Sequence, residues 1–143
     1  MKYSVLFVCV HNSARSQMAE ELLRLYGGDS YHTESAGYEP AEKVNPLVIE
    51  VMKELDVDLE EKTTQNVYKI FENGREFDYV ITVCKECLEQ GCPFFPYKKE
   101  FLKWGFDDPA GLNGTHKEKI DRTREIREEI KAKILEFIEK IKT

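Results

Sequence analysis

The chain has 143 residues, 21 basic against 27 acidic, for a net charge of −6. That length suits one domain over residues 1–143, burying about two-thirds of the unfolded surface, and an acidic balance without a basic patch excludes non-specific nucleic-acid binding. The opening apolar run, Val5 to Val10, is too short to span a bilayer and carries no secretion-signal cleavage pattern, so a cytoplasmic protein without membrane contact is expected.

In chain order the pattern alternates between strand and helix. Tyr3 to Val8 reads as a first strand. A helix follows from about Ser16 to Tyr26, with Met18, Leu22, Leu23 and Tyr26 on one face and Gly27-Gly28 as its stop. A second strand lies near Tyr31 to Ala36. Asn45-Pro46 has the chemistry of an N-cap with proline in the first turn, opening a helix to about Leu55. A short helix over Val67 to Phe71 ends near Asn73-Gly74. Tyr79 to Val83 is a continuous β-rich run of the kind buried on both faces.

Cys84 to Pro96 is read as a loop, Glu100 to Phe106 as containing a fourth strand, and Asp107 to Gly114 as a loop. The last helix, about Lys117 to Lys142, carries Ile126, Ile130, Ile134, Phe137, Ile138 and Ile141 on one stripe. Its other face bears Glu129/Lys133 and Glu136/Lys140 pairs in contact with solvent. Strands separated by helices predict an α/β fold: a parallel sheet with helices on both faces, and a ligand site beyond the C-terminal strand ends.

Cys9 falls at such an end. The stretch Cys9-Val10-His11-Asn12-Ser13-Ala14-Arg15-Ser16 joins the first strand to the first helix. Residues 10–15 have the makings of an oxyanion cradle, since loop and helix-start N–H groups can point at an anion. Arg15 can grip two oxygens at once, as Lys could not. The same positive field favours a reactive Cys9 thiolate. A cysteine at a strand end is by default a small buried hydrophobe. Here the Cys-to-Arg spacing, the strand–loop–helix context and the Ser16 hydroxyl coincide, and Asn12 tolerates the left-handed backbone a tight nest needs.

Four cysteines, Cys9, Cys84, Cys87 and Cys92, suggest redox or metal chemistry rather than a static disulfide framework. Cys84-x2-Cys87-x4-Cys92 offers three thiolates for zinc, but His11, His32 and His116 give no adjacent fourth ligand, so no metal is expected.

Cys9-x5-Arg15-Ser16, Ser35-Ala36-Gly37 and Asp107-Asp108-Pro109 resemble the low-molecular-weight protein tyrosine phosphatases. Ser16-Gln17-Met18-Ala19-Glu20, Val80 to Cys84, Cys92-Pro93 and Trp104 to Ala110 are similar to the thioredoxin-coupled arsenate reductases within that family. The resemblance covers essentially the whole chain and implies a four-stranded parallel sheet. It implies that Cys9 attacks arsenate held by the loop and Arg15, that Ser16 supports the thiolate, and that Asp108 protonates the departing oxygen. By the same resemblance Cys84 and then Cys92 carry a disulfide relay, reduced by thioredoxin without a bound cofactor.

Departures from that pattern leave alternatives open. The Cys84–Cys92 loop is one residue longer than in the relatives, and Cys87 is extra, an alternative relay thiol. His11 stands where many relatives have glycine, and an outward orientation is expected of it. Of a potassium site known in some relatives, Asn12, Glu20, Ser35 and Thr63 match, but Gln65 replaces an acidic ligand.

Two other functions compete with the reductase reading. A phosphatase acting on phosphotyrosine or small phosphate esters would need only Cys9, Arg15 and Asp108. Ala110-Gly111-Leu112 lacks the aromatic residues that branch carries after its Asp-Pro. A non-catalytic thiol module would need neither Arg15 nor Asp108.

Overall fold

Burial on both faces of β1 decides the architecture. In the computed structural model, which describes residues 2–91 and 93–142, β1 (Tyr3–Cys9) is central to the sheet. Val5, Phe7 and Cys9 face one hydrophobic cluster, while Leu6 and Val8 face another. A strand whose successive side chains both meet apolar neighbours must lie between two helical layers. β2 (Tyr31–Gly37), β3 (Tyr79–Cys84) and β4 (Glu100–Phe106) complete a parallel sheet in the order β2-β1-β3-β4.

On the larger cluster pack α1 (Arg15–Gly27), α2 (Pro46–Lys53) and α5 (His116–Lys142). The smaller cluster joins Leu6, Val8 and Val80 to Val67 and Ile70 of α3 (Val67–Glu72), with Phe77 and Phe95. Asn45 caps α2 by accepting from the Leu47 N–H at 2.8 Å, with Pro46 in the first turn as expected. Asn66 caps α3 in the same way. Gly28 follows α1 at φ 62°, a backbone that glycine adopts without strain.

Four local expectations change. The segment after Cys84 begins not as a loop but as a helix, α4 (Lys85–Gln90). Its first turn follows directly on β3, and Leu88 lies over Gly105, where a Cβ would come 2.3 Å from Leu88 Cδ1. The loop over 107–114 contains a 3₁₀ turn, Pro109–Gly111. On α5, Glu129 pairs with Arg122 rather than Lys133, and Lys140 reaches Glu100 on β4. Tyr26 is exposed on the outer side of α1, with the Lys131 ammonium over its ring. Among the described residues no helix is long and apolar enough to cross a membrane.

Candidate active site

β1 delivers Cys9 to the C-terminal edge of the sheet, and α1 begins six residues later. Between them the carbonyls of Cys9, Val10, His11 and Ser13 accept from Tyr38, Glu39, Ala41 and Asn45 N–H groups at 3.4, 2.8, 2.9 and 2.8 Å. A trans peptide holds its N–H opposite its C=O. Carbonyls tied to the 38–45 segment therefore turn the following N–H groups into the loop. Asn12 N–H illustrates this, donating to Cys9 Sγ at 3.1 Å. Asn12 takes the left-handed φ of 53° that its residue type tolerates. Gly37 permits the close approach of β2: a Cβ there would lie 2.6 Å from Val10 O and 2.9 Å from Asn12 N.

The Cys9 sulfur is buried and sits 2.9 Å from Ser16 Oγ. Asn12 Nδ2 donates to that same oxygen at 2.8 Å, so the Ser16 hydroxyl is free to turn its proton toward the sulfur. The Asn12 N–H and a Ser16 hydroxyl so turned are two donors for one sulfur. Asn12 is itself held, its Oδ1 accepting from Gln65 N–H at 2.8 Å and from Gln17 Nε2 at 3.2 Å. Gln17 also donates to the Asn12 carbonyl at 3.0 Å.

Arg15 is only 2% exposed. Its NH1 donates to Glu86 Oε1 at 2.7 Å and to the Phe106 carbonyl at 3.0 Å. Its NH2 donates to Glu86 Oε2 at 3.0 Å and lies 3.4 Å from Asp108 Oδ2. Burial works against this guanidinium's charge, but the bond to Glu86 and the charges of Asp108 and Cys9 outweigh it and push its pKa up. Asp108 stands just past β4. Its Oδ1 accepts from Ala110 N–H at 2.9 Å, which fixes the carboxyl beside Arg15. His11 is exposed, as expected, with Nδ1 2.9 Å from the Glu39 carbonyl oxygen.

Cys84 ends β3, the strand next to β1, and is fully buried. Its sulfur lies 2.9 Å from that of Cys87, both as free thiols. Burial pushes the Cys84 thiol up, with Cys87 partly offsetting it. Cys92 lies outside the described residues.

The positions matching a potassium site are occupied by hydrogen-bond donors. Glu20 accepts from Ser35 Oγ at 2.6 Å, from Lys62 Nζ at 2.6 Å and from Arg24 NH2 at 2.9 Å. Gln65, in place of an acid, donates from Nε2 to the Ser35 carbonyl at 3.0 Å. With an ammonium already on the one carboxylate of the set, these residues do not fit a potassium ion. Among the described residues no three His, Cys, Asp or Glu side chains gather as metal ligands.

Sequence reasoning brought Cys9, Arg15, Ser16 and Asp108 together but missed Glu86, Gln17 and Lys62. Gln17 and Lys62 act through loop contacts that no local pattern announces. Glu86 lies 71 residues from Arg15, and its one signal is a place between two cysteines.

Residues 4–143 match the model of the low molecular weight phosphotyrosine protein phosphatase family. An arsenate reductase of Halalkalibacterium halodurans is 41% identical over 138 residues, 96% of each chain. The solved structure of an arsenate reductase in a phosphate-binding state superposes with a TM-score of 0.79 at 30% identity, covering 99% of both chains. A thioredoxin-dependent arsenate reductase of Corynebacterium glutamicum superposes at 0.73 with 35% identity, covering 99% of this chain and 62% of that one. The Cys9–Arg15 loop between the first strand and first helix, read together with these matches, leads to one assignment: the chain belongs to the low molecular weight phosphotyrosine protein phosphatase family.

Proposed function

We propose that this protein reduces arsenate to arsenite. One observation carries the reading: donors converge on Cys9 Sγ at the end of one strand, while a second buried thiol, Cys84, ends the adjoining strand. Hydrolysis of a phosphate ester needs no thiol there. A two-electron reduction does.

Cys9 thiolate attacks arsenic in arsenate held by the inward N–H groups of residues 10–15 and by Arg15. An S–As bond forms as an As–O bond breaks, and the departing hydroxyl of arsenate takes a proton from Asp108 and leaves as water. Ser16 holds the thiolate before attack. Cys84, as thiolate, then attacks Cys9 sulfur. The new S–S bond displaces arsenic, which keeps the S–As electron pair and leaves as arsenite. Two thiols have lost two electrons, and arsenic has gained them. Cys92 attacks Cys84 next, moving the disulfide to Cys84–Cys92 and freeing Cys9, and a thioredoxin dithiol reduces that pair. No bound cofactor is required. Support comes from the names of the relatives, one of them thioredoxin-dependent, and from the match of residue types along the whole chain.

Hydrolysis of small phosphate esters is the second reading. Its warrant is the family match together with the Cys9, Arg15 and Asp108 grouping, which suffices for phosphoryl transfer. Arsenate-dependent NADPH oxidation, coupled through thioredoxin and its reductase, separates the two when run beside aryl phosphate hydrolysis. Cys84→Ser and Cys92→Ser should each abolish arsenate turnover and spare ester hydrolysis. Arsenate turnover unchanged in both variants would sink the relay.

A further inference from the structure

Among the described residues, Glu86 is the one charged group on Arg15 to which the proposed chemistry gives no part. Its carboxylate fills the guanidinium fork with two parallel bonds of 2.7 and 3.0 Å, the geometry in which arginine also grips two oxygens of a tetrahedral oxyanion. The remaining hydrogens of the two terminal nitrogens face the Phe106 carbonyl and Asp108, so the fork cannot hold Glu86 and an oxyanion together. When they exchange, Glu86 moves: its side chain is 41% exposed and borders solvent, whereas Arg15 is enclosed. Glu86 is also held below the usual carboxylate range by its bond to Arg15, so at neutral pH it competes as an anion.

What Glu86 is attached to gives the exchange a consequence. It sits in the first turn of α4, a six-residue helix whose N-cap, Cys84, supplies no side-chain capping bond. Among the described residues, its other ties include Cys87, buried in the main core against Cys84, the exposed Lys85–Asp107 pair and the half-exposed Leu88 over Gly105. Cys84 is the residue on which α4 begins and its thiol faces Cys87, so a shift of the first turn of α4 carries that thiol with it. The Arg15 bond opposes that shift.

We propose that Glu86 is a substrate-mimicking latch: it occupies the Arg15 fork in the resting enzyme, and a bound tetrahedral oxyanion expels it and thereby frees Cys84 to move. This rests on the reading of residues 9–16 as an oxyanion cradle. Its effect is to make the relay thiol available only when the cradle is filled, and to set oxyanion affinity by competition.

Inorganic phosphate is the probe, used on the reduced full-length protein. Calorimetry should find phosphate bound about tenfold more tightly by Glu86→Gln, the factor for a latch shut about nine-tenths of the time. Glu89→Gln, which removes the same charge from the same helix, should change affinity less than about twofold. Alkylation of Cys84, followed by peptide mass spectrometry, should speed up several-fold when phosphate is added to the wild type. In Glu86→Gln it should be fast already and indifferent to phosphate. Equal phosphate affinity in wild type and Glu86→Gln, or weaker binding in the variant, overturns the latch while leaving the cradle intact. Cys84 alkylation blind to phosphate in the wild type also overturns it. Phosphate binding to neither protein overturns the cradle reading and the latch with it.

Discussion

Ser16 shows how little chemistry the nucleophile depends on. Its hydroxyl is oriented from behind by Asn12 Nδ2 and can give its proton to a Cys9 thiolate, so Ser16→Ala removes one of two donors without touching the backbone. Alkylation of Cys9 at pH 6–7, and kcat/KM for arsenate, should fall about tenfold, the worth of one charge-assisted bond. An unchanged alkylation rate would mean the loop N–H groups suffice. Cys87 calls for the opposite expectation. Its thiol lies against Cys84, but Cys87→Ser keeps a hydroxyl donor at the same place and should lower arsenate turnover by no more than about twofold. A loss as deep as that in Cys84→Ser would move the relay role to Cys87. The sequence could single out Cys9 and Arg15 because spacing and neighbours marked them, and Asp108 through the resemblance of Asp107-Asp108-Pro109 to the family's motif. It could not mark Glu86, whose meaning comes only from a contact across 71 residues.

The strands and longer helices were legible from pattern: β-rich runs for strands between two helical layers, a 3.6-residue stripe for α1, α2 and α5, an N-cap at Asn45 for α2 and a glycine stop after α1. α4 was not, since six residues with only Cys87 buried display no stripe, and Cys84 is no capping residue. Glycines explain how the elements then fit. At Gly37 an added Cβ would meet two backbone atoms, Val10 O and Asn12 N, with no freedom to move aside. At Gly105 the obstacle is the end of the flexible Leu88 side chain. Urea denaturation should therefore find Gly37→Ala destabilised by about 2–3 kcal/mol, with phosphate affinity lost as the loop distorts, and Gly105→Ala by less than about 1 kcal/mol. Equal costs at the two positions would refute this distinction between backbone and side-chain obstacles.

At the scale of the molecule, the cradle is braced from far away. Asn45 N–H holds the Ser13 carbonyl outward and its side chain opens α2, so whatever positions α2 positions the loop. α2 is held to α5 by Val48, Val51 and Met52 in the shared core and by charge just past its last turn. There Glu54 accepts from Arg124 at 2.9 and 2.7 Å and from Arg127 at 2.8 Å, while Arg127 also donates to the Val51 carbonyl at 2.7 Å. The Arg124 bonds, with Arg127 adding to them, bring Glu54 down to about 2. An unfolded glutamate titrates near ~4.3. Between those values the unfolded chain binds a proton that the folded one refuses, so Glu54 contributes stability above pH ~4.3 and loses it as the pH falls toward 2. Because the side chain is partly exposed and screened by salt, the contribution should be about 1 kcal/mol or less at low ionic strength. Denaturation of wild type and Glu54→Gln should thus show a constant gap from pH 7 to about 5 that closes between about 4.3 and 2 and shrinks in salt. A gap independent of pH would place Glu54's role in packing rather than in its charge, and the brace on the cradle would then be the apolar α2–α5 contact alone.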